Sequence, residues 1–170
     1  MANILSGLGR TLGDLGGAML PLSMRELQRE VHDRLRTASL QLNDYGYDPF
    51  GFSPDFARHM VLPVAALYRF YFRAETHDIE RVPSGRVLLI ANHAGQLPYD
   101  GVMLTAAMLL DANPPRLVRG MGEYFIWRLP WLGVTAARGG TIVGTPENCA
   151  AMLESGECVM AFPEGARGIN

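Results

Sequence analysis

The sequence predicts an α/β fold in which a mostly parallel sheet is flanked by helices and preceded by further helices at the N-terminus. The first supporting observation is that short apolar runs alternate with helix-like segments from about residue 74 onward. The second is that apolar residues recur at the spacing of an α-helix upstream of that alternation. We therefore divide the chain into an N-terminal helical and irregular region, 1–52, and an α/β domain, 53–170, which we expect to be incomplete at its C-terminus.

The N-terminal region is predicted to contain one amphipathic helix. Ser23 and Glu26 form the capping-box pattern Ser-x-x-Glu, which is typical of a helix start. The apolar residues that follow at helical spacing are Leu27, Val31, Leu35, Ala38 and Leu42. Residues 43–53 (NDYGYDPFGFS) are rich in turn formers, and we interpret them as a linker.

The segment Phe56–Arg73 allows two interpretations. Its uncharged run, Met60–Tyr68, is nine residues long, whereas a helix that spans a bilayer needs about 20. Arginine, histidine and aromatic side chains flank the run, as in a helix that lies in a membrane interface. The alternative is an ordinary core helix broken by Pro63.

Strands and helices alternate through the α/β domain. The predicted strands are Arg86–Ala91, Arg116–Arg119, Thr141–Val143 and Glu157–Phe162. The predicted helices are Tyr99–Leu110, Glu123–Leu132 and Pro146–Glu154. This order is typical of helices packed on a mostly parallel sheet.

Composition and charge exclude several classes of function. The 170-residue chain has a net charge of −2 and no strongly basic region, so nucleic acid is not an expected partner. Its two cysteines lack the spacing of a zinc site, so we expect no metal and a reducing compartment. We see no secretory signal in the first residues and expect a cytoplasmic protein.

Polar residues cluster where the first predicted strand ends. His93 follows that strand, where α/β folds bind their ligands, and Asp100 lies near the start of the next helix. Asp100 could accept a hydrogen bond from one ring nitrogen of His93 and leave the other nitrogen free as a base. The chain has no Gly-x-Ser-x-Gly nucleophile motif, so the nucleophile would be a hydroxyl of the substrate. The alternative is a turn histidine capped by a neighbouring carboxylate.

A second polar cluster follows the last predicted strand, in the sequence Pro-Glu-Gly-Ala-Arg. Gly165 lets the backbone approach a ligand closely. Arg167 offers a planar guanidinium that suits a phosphate or carboxylate. The alternative is an ion pair between Glu164 and Arg167 within the turn.

Together the two clusters resemble the motifs of the glycerolipid acyltransferase superfamily, Asn-His followed by Asp and, downstream, Phe-Pro-Glu-Gly-x-Arg. The resemblance covers roughly residues 68–170, and GGTIVGTPENCAAMLESGE resembles the monoacylglycerol and diacylglycerol acyltransferase branch. Two features differ from the family. Six residues separate His93 from Asp100 instead of the usual four, and Gly140–Thr145 lacks the arginine found in many members that use a phosphorylated glycerol acceptor.

The resemblance implies acyl transfer from acyl-CoA or acyl-carrier protein to a hydroxyl of a glycerolipid, without metal or cofactor. His93 and Asp100 would be the catalytic dyad. The acceptor's polar head would be held by Asn92, Glu164, Gly165 and Arg167. Membrane surface, acyl-CoA and glycerolipid are the implied partners, so we expect a cytoplasmic protein that associates peripherally with membranes.

Three questions stay open at this point. A non-catalytic lipid-binding or membrane-binding domain of the same fold and an acyl-thioester hydrolase are the competing classes of function. Arg116 and Arg119 either bind an anionic headgroup or CoA, or are simply solvated. Because the family's domain normally continues beyond the position of Gly168, we suspect a partial chain.

Overall fold

A computed structural model describes residues 22–38, 40–92 and 99–164, and it confirms the α/β class. The strands are β1 (Val87–Ile90), β2 (Val118–Gly122), β3 (Thr141–Val143) and β4 (Cys158–Ala161). The helices are α1 (Leu22–Thr37), α2 (Pro54–Ala66), α3 (Tyr99–Leu110), α4 (Leu132–Arg138) and α5 (Pro146–Glu154). The short helical turns are Leu67–Tyr71, which is π-helical, and the 3₁₀ turns Ile79–Arg81 and Tyr124–Arg128.

The four strands form one parallel sheet in the order β1-β4-β2-β3. The last strand, β4, therefore lies between the first two and is buried along most of its length. That burial explains why Glu157–Phe162 reads as an almost continuous apolar run, because strands covered on both faces need apolar side chains on both. Since all strands are parallel, their carboxyl ends lie at the same edge of the sheet.

The helix α1 packs its apolar face into a core that it shares with α2 and α3. Its residues Leu27, Val31 and Leu35 are buried there, as the helical spacing predicted. The prediction for Leu42 was wrong, because α1 ends at Thr37 and Leu42 is 45% exposed.

The helix α2 continues through Pro63 instead of breaking there, and the π-helical turn extends it. The inner face of this segment is core, since Ala65 and Tyr68 are almost completely buried. Its far end exposes aromatic side chains at Tyr71 and Phe72. No helix within the described ranges is long and apolar enough to cross a membrane.

Residues 43–53 are fastened to the sheet by a buried ionic cluster. Arg119 on β2 is 1% exposed; its guanidinium donates to the Asp48 carboxylate and, at 3.0 Å, to Glu157 Oε2. The Arg119 guanidinium also lies 5.0 Å from the centre of the Phe52 ring. The second carboxylate oxygen of Asp48, Oδ1, accepts a hydrogen bond from the Phe52 N–H at 2.7 Å. The segment is thus an anchored loop, not a free linker.

This cluster corrects both predictions for Arg119, whereas a binding role of Arg116 stays a prediction. Arg119 neither binds a headgroup nor is solvated, because its side chain is enclosed by carboxylates and the Phe52 ring. Arg116 donates to the backbone oxygens of Pro83 and Gly85. The strand itself begins at Val118, two residues later than predicted. Arg119 is therefore an internal ionic anchor of the fold, whereas Arg116 is a partly exposed residue that binds a neighbouring loop.

We predict that Arg119→Gln lowers the free energy of unfolding by about 3–5 kcal/mol, because it leaves the Asp48 carboxylate buried without its cation. Chemical denaturation monitored by circular dichroism measures the change. The matched control is Arg81→Gln, which breaks the solvent-exposed pair with Asp78 and should cost about 0–1 kcal/mol. Equal losses in the two variants would contradict the structural role assigned to Arg119.

Candidate functional site

The candidate site lies at the carboxyl edge of the sheet, where β1 and β4 are paired. Ile90 is in register with Ala161, and the Ala91 N–H donates to the Ala161 oxygen at 3.4 Å. Asn92 and Glu164 follow these paired strand ends and are both exposed. The structure therefore places Asn92 and Glu164, one residue from each motif, after neighbouring strands at one edge.

Asp100 reaches the same edge through the start of α3. It stands in the first turn of that helix and is half-buried, and its Oδ1 accepts the Gly101 N–H at 2.7 Å. A side chain at Gly101 would come within 3.2 Å of the Phe162 ring and 3.3 Å of the Met160 methyl carbon. The absence of a side chain at Gly101 thus lets the helix start approach the end of β4. The positive end of the helix dipole favours the ionised form of Asp100.

Three of the predicted site residues, His93, Gly165 and Arg167, lie outside the described residues. The hydrogen bond between His93 and Asp100 stays a prediction, as do the contacts of Arg167. Of the six predicted residues, the structure places Asn92, Asp100 and Glu164, and it places all three near the carboxyl ends of β1 and β4.

A partly buried polar network holds the opposite end of α3. The Tyr68 hydroxyl donates to Asp111 Oδ2 at 2.5 Å, directly after the last residue of the helix. Arg69 binds the other oxygen of Asp111 at 2.8 Å and Glu30 on α1 at 2.9 Å. Thr76 donates to Asp111 as well. The network therefore joins α1, the π-helical turn and α3, and it fixes the helix that carries Asp100.

Sequence reasoning missed this network. Tyr68 was interpreted only as an apolar or interfacial residue, and Asp111 is 43 positions away in the chain. Burial raises the pKa of the Tyr68 phenol, and the hydrogen bond to Asp111 raises it further. Burial lowers the pKa of Arg69, but Glu30 and Asp111 outweigh that effect and raise it. The sequence carried no direct signal for it, because Tyr68 stands among other aromatic and charged residues, Arg69, Phe70 and Tyr71.

Other reactive groups do not contribute to this edge. Cys158 lies inside β4 at 1% exposure, and burial raises the pKa of its thiol, which disfavours the thiolate needed for nucleophilic attack. Across the described part of the chain, no group of three or more His, Cys, Asp and Glu side chains is arranged to hold a metal. A groove of about 890 Å³ lies between α1 and α2, lined by residues that include Val31, His32 and Leu62. The three described site residues, Asn92, Asp100 and Glu164, do not line it.

The comparisons with known proteins agree with these features. The family model described as Acyltransferase matches residues 73–169, so the chain belongs to the acyltransferase family. The match includes all six predicted site residues, and it confirms the resemblance to glycerolipid acyltransferases. Acyl transfer is therefore the general class of reaction assigned to the domain. No solved structure matches the chain.

Longer relatives are similar to this chain over part of their length. An uncharacterized protein of Mycobacterium tuberculosis is 35% identical over 128 residues, which cover 74% of this chain and 36% of that protein. An uncharacterized protein of Mycobacterium leprae is also 35% identical over 128 residues, with 74% and 35% covered. A protein of Bos taurus named "DGAT1/2-independent enzyme synthesizing storage lipids" is 26% identical over 93 residues, 55% of this chain and 27% of that protein. The chain thus spans about a third of the length of the curated relatives it matches.

We predict that Tyr68 makes stability fall at alkaline pH. Because its pKa is raised in the folded state, its contribution is complete below the ordinary phenol pKa of about 10 and is lost as pH rises through the raised value. The physical reason is that a phenolate would face the Asp111 carboxylate. The chain has no lysine, so no lysine titrates in this range.

Urea denaturation of the wild type and of Tyr68→Phe between pH 8 and 11 tests this expectation. The variant should be less stable at pH 8, and the difference should shrink above about pH 10. Tyr45→Phe, at a tyrosine that is 86% exposed, is the control and should follow the wild type. If the difference in free energy of unfolding between wild type and Tyr68→Phe does not change with pH, the contribution of Tyr68 is independent of its ionisation.

Proposed function

We propose that this domain transfers a fatty acyl group from the thioester of acyl-CoA or acyl-carrier protein to a hydroxyl of a glycerolipid acceptor. Family membership supplies the class of reaction. The observation that best supports the finer statement is the pairing of β1 with β4, because Asn92 and Glu164, one from each motif, follow these paired strands. The name of the Bos taurus relative adds support for a product in lipid synthesis.

In the proposed mechanism His93 acts as the general base. It removes the proton from the acceptor hydroxyl while that oxygen attacks the thioester carbonyl. The tetrahedral intermediate then collapses, the carbon–sulfur bond breaks, and the thiol leaves with the proton that His93 returns. Asp100 accepts a hydrogen bond from the second ring nitrogen of His93 and so holds the ring in the reactive tautomer. Backbone N–H groups near the dyad stabilise the negative oxygen of the intermediate.

The second motif is proposed to bind the acceptor. Arg167 can donate two parallel hydrogen bonds to a phosphate or carboxylate. Gly165 lets a ligand approach the backbone, while Asn92 and Glu164 bind hydroxyl groups of the polar head. The position of Asn92 and Glu164 after paired strands supports a shared binding surface. Because the acceptor is a lipid, we propose that the protein works at a membrane surface in the cytoplasm.

A second candidate function is a non-catalytic lipid-binding domain of the same fold. It is favoured by the six residues between His93 and Asp100, two more than is usual in the family. Incubation of the protein with labelled acyl-CoA, with and without monoacylglycerol or lysophospholipid, separates the alternatives. An acylated acceptor supports transfer, free fatty acid supports a thioester hydrolase, and neither product supports a binding domain.

We predict that His93→Ala lowers the rate of acyl transfer about 10²- to 10⁴-fold, the usual contribution of a general base. Asp100→Asn should lower it by at least about tenfold, although asparagine keeps most of the capping ability of aspartate at a helix start. Initial rates per folded molecule, with folding checked by circular dichroism, are the measurement.

Asp78→Asn is the control for the carboxylate. Asp78 is a surface residue at φ +57°, a conformation that asparagine tolerates, so this variant should keep full activity. If Asp100→Asn lowers the melting temperature but the folded molecules keep their rate, Asp100 is only a helix cap.

We predict that Arg167→Lys raises the Michaelis constant of one substrate about ten- to hundredfold, because lysine keeps the charge but loses the two-pronged contact, worth about 1.5–3 kcal/mol. Separate titrations of acyl donor and acceptor show which substrate Arg167 binds. Arg81→Lys, at a surface arginine, should change neither constant. An unfolded Arg167→Lys protein, or equal effects on both substrates, would contradict a binding role.

A further inference from the structure

A continuous run of apolar side chains is exposed between the end of β2 and the middle of α4. We call residues 124–134 (YFIWRLPWLGV) the aromatic segment. Its exposed large residues are Tyr124, Phe125, Leu129, Trp131, Leu132 and Val134, with exposed fractions between 43% and 86%. Single apolar side chains are common on protein surfaces, but a contiguous group of this size indicates an interaction surface.

The aromatic segment lies at the same edge of the sheet as the candidate site. It begins two residues after Gly122, where β2 ends, and β2 is parallel to β4, which leads to Glu164. A second exposed group stands at the start of α3, beside Asp100. There Tyr71 packs against Phe72 at 4.9 Å between ring centres, and Phe72 packs against Tyr99 at 5.7 Å.

The fold holds the aromatic segment in place. Trp127 packs so closely on Gly122 and Gly133 that a side chain at either glycine would come within 3.2 Å of it. Trp131 has φ +67°, which a residue with a side chain rarely adopts. Its carbonyl oxygen accepts the backbone N–H of Thr135 at 3.0 Å and the Thr135 hydroxyl at 2.8 Å. A strained backbone that keeps a tryptophan side chain 86% exposed suggests that the side chain has a binding role.

The charges near the segment indicate the kind of partner. From Tyr124 to Arg138 the chain has two arginines and no acidic residue. The Arg128 guanidinium lies 5.3 Å from the Tyr124 ring centre, beside the exposed apolar group. Tryptophan and tyrosine favour the boundary between lipid headgroups and acyl chains, and arginine is attracted to anionic headgroups. This combination fits a lipid surface.

We propose that the aromatic segment is the membrane-docking surface of this protein, and that it binds anionic phospholipid bilayers with Trp131 inserted among the upper acyl carbons. Docking through this segment would turn the carboxyl edge of the sheet, with Asp100 and Glu164, toward the lipid. The proposal deepens the proposed function, since it identifies which face meets the membrane. It differs from docking through α2, because the docking surface is formed by residues 124–134 and not by Pro54–Ala66.

The two tryptophans of the chain make the test direct. In Trp127→Phe, Trp131 is the single tryptophan, and in Trp131→Phe only the packed Trp127 remains. Vesicles of phosphatidylcholine and phosphatidylglycerol, with brominated acyl chains, are added to each variant. Trp131 emission should shift to shorter wavelength and be quenched, whereas Trp127 emission should change little. If Trp127→Phe does not fold, the emission of Trp131 is obtained by subtracting the emission of Trp131→Phe from that of the wild type.

Vesicle sedimentation measures the affinity of each variant for the lipid bilayer. Trp131→Ser should weaken binding by about tenfold, the effect of withdrawing one large apolar side chain from a buried environment. Tyr45→Ser is the matched control, because Tyr45 is also 86% exposed but lies in the loop anchored through Arg119. Tyr71→Ser tests the group beside Asp100, and Met60→Ser tests the outer face of α2. Binding should be weaker to vesicles of phosphatidylcholine alone.

Several outcomes would overturn the proposal. The first is that vesicles do not quench the emission of Trp131. The second is that Trp131→Ser binds vesicles with the same affinity as the wild type. The third is that only Met60→Ser lowers the affinity for vesicles. A concentration-dependent shift of Trp131 emission without vesicles would assign the surface to a second copy of the chain. Vesicle binding needs no catalysis, so an inactive protein that docks refutes only the proposed function, and an active protein that does not dock refutes only this inference.

Discussion

The parallel pairing of β1 with β4 is the interaction on which the candidate site depends. These strands are separated by 67 residues between Ile90 and Cys158, yet the order β1-β4-β2-β3 makes them neighbours. Parallel strands place their carboxyl ends at one edge, so Asn92 and Glu164, which follow β1 and β4, lie at the same edge. The apolar composition of β4 follows from this position, because a strand between two others and beneath helices must bury both faces.

Two polar clusters, both remote from the carboxyl edge of the sheet, stabilise this arrangement. Arg119 joins the 43–53 loop to the amino-terminal side of the sheet, where Glu157 precedes β4. Asp111 ties the end of α3 to Tyr68 and Arg69, while Gly101 lets its start pack on Phe162. Buried ion pairs contribute little net stability compared with apolar residues of similar size. Their effect here is to define one position for each element, including the helix that carries Asp100.

Local periodicity was sufficient to predict the class of fold and most elements, including α3, β3 and α5 at their observed boundaries. It could not give the strand order, because the pairing of distant segments leaves no repeat in the sequence. The partners of Arg119 were missed for the same reason, since Asp48 is 71 positions away. Of the predicted site, the structure places Asn92, Asp100 and Glu164 near the carboxyl ends of β1 and β4, and their roles stay predictions.

The parallel sheet also explains how chemistry and membrane docking could share one face. Every strand of such a sheet delivers its following loop to the same edge, so the polar motifs after β1 and β4 and the aromatic segment after β2 are gathered there. The amino-terminal side carries the anchored loop and the buried charges of Arg119 and Asp48. A lipid acceptor has its reactive hydroxyl at the polar boundary of a bilayer. An enzyme that meets this boundary with the edge bearing its base need not extract the whole lipid, because the hydroxyl and the catalytic groups then lie at similar depth.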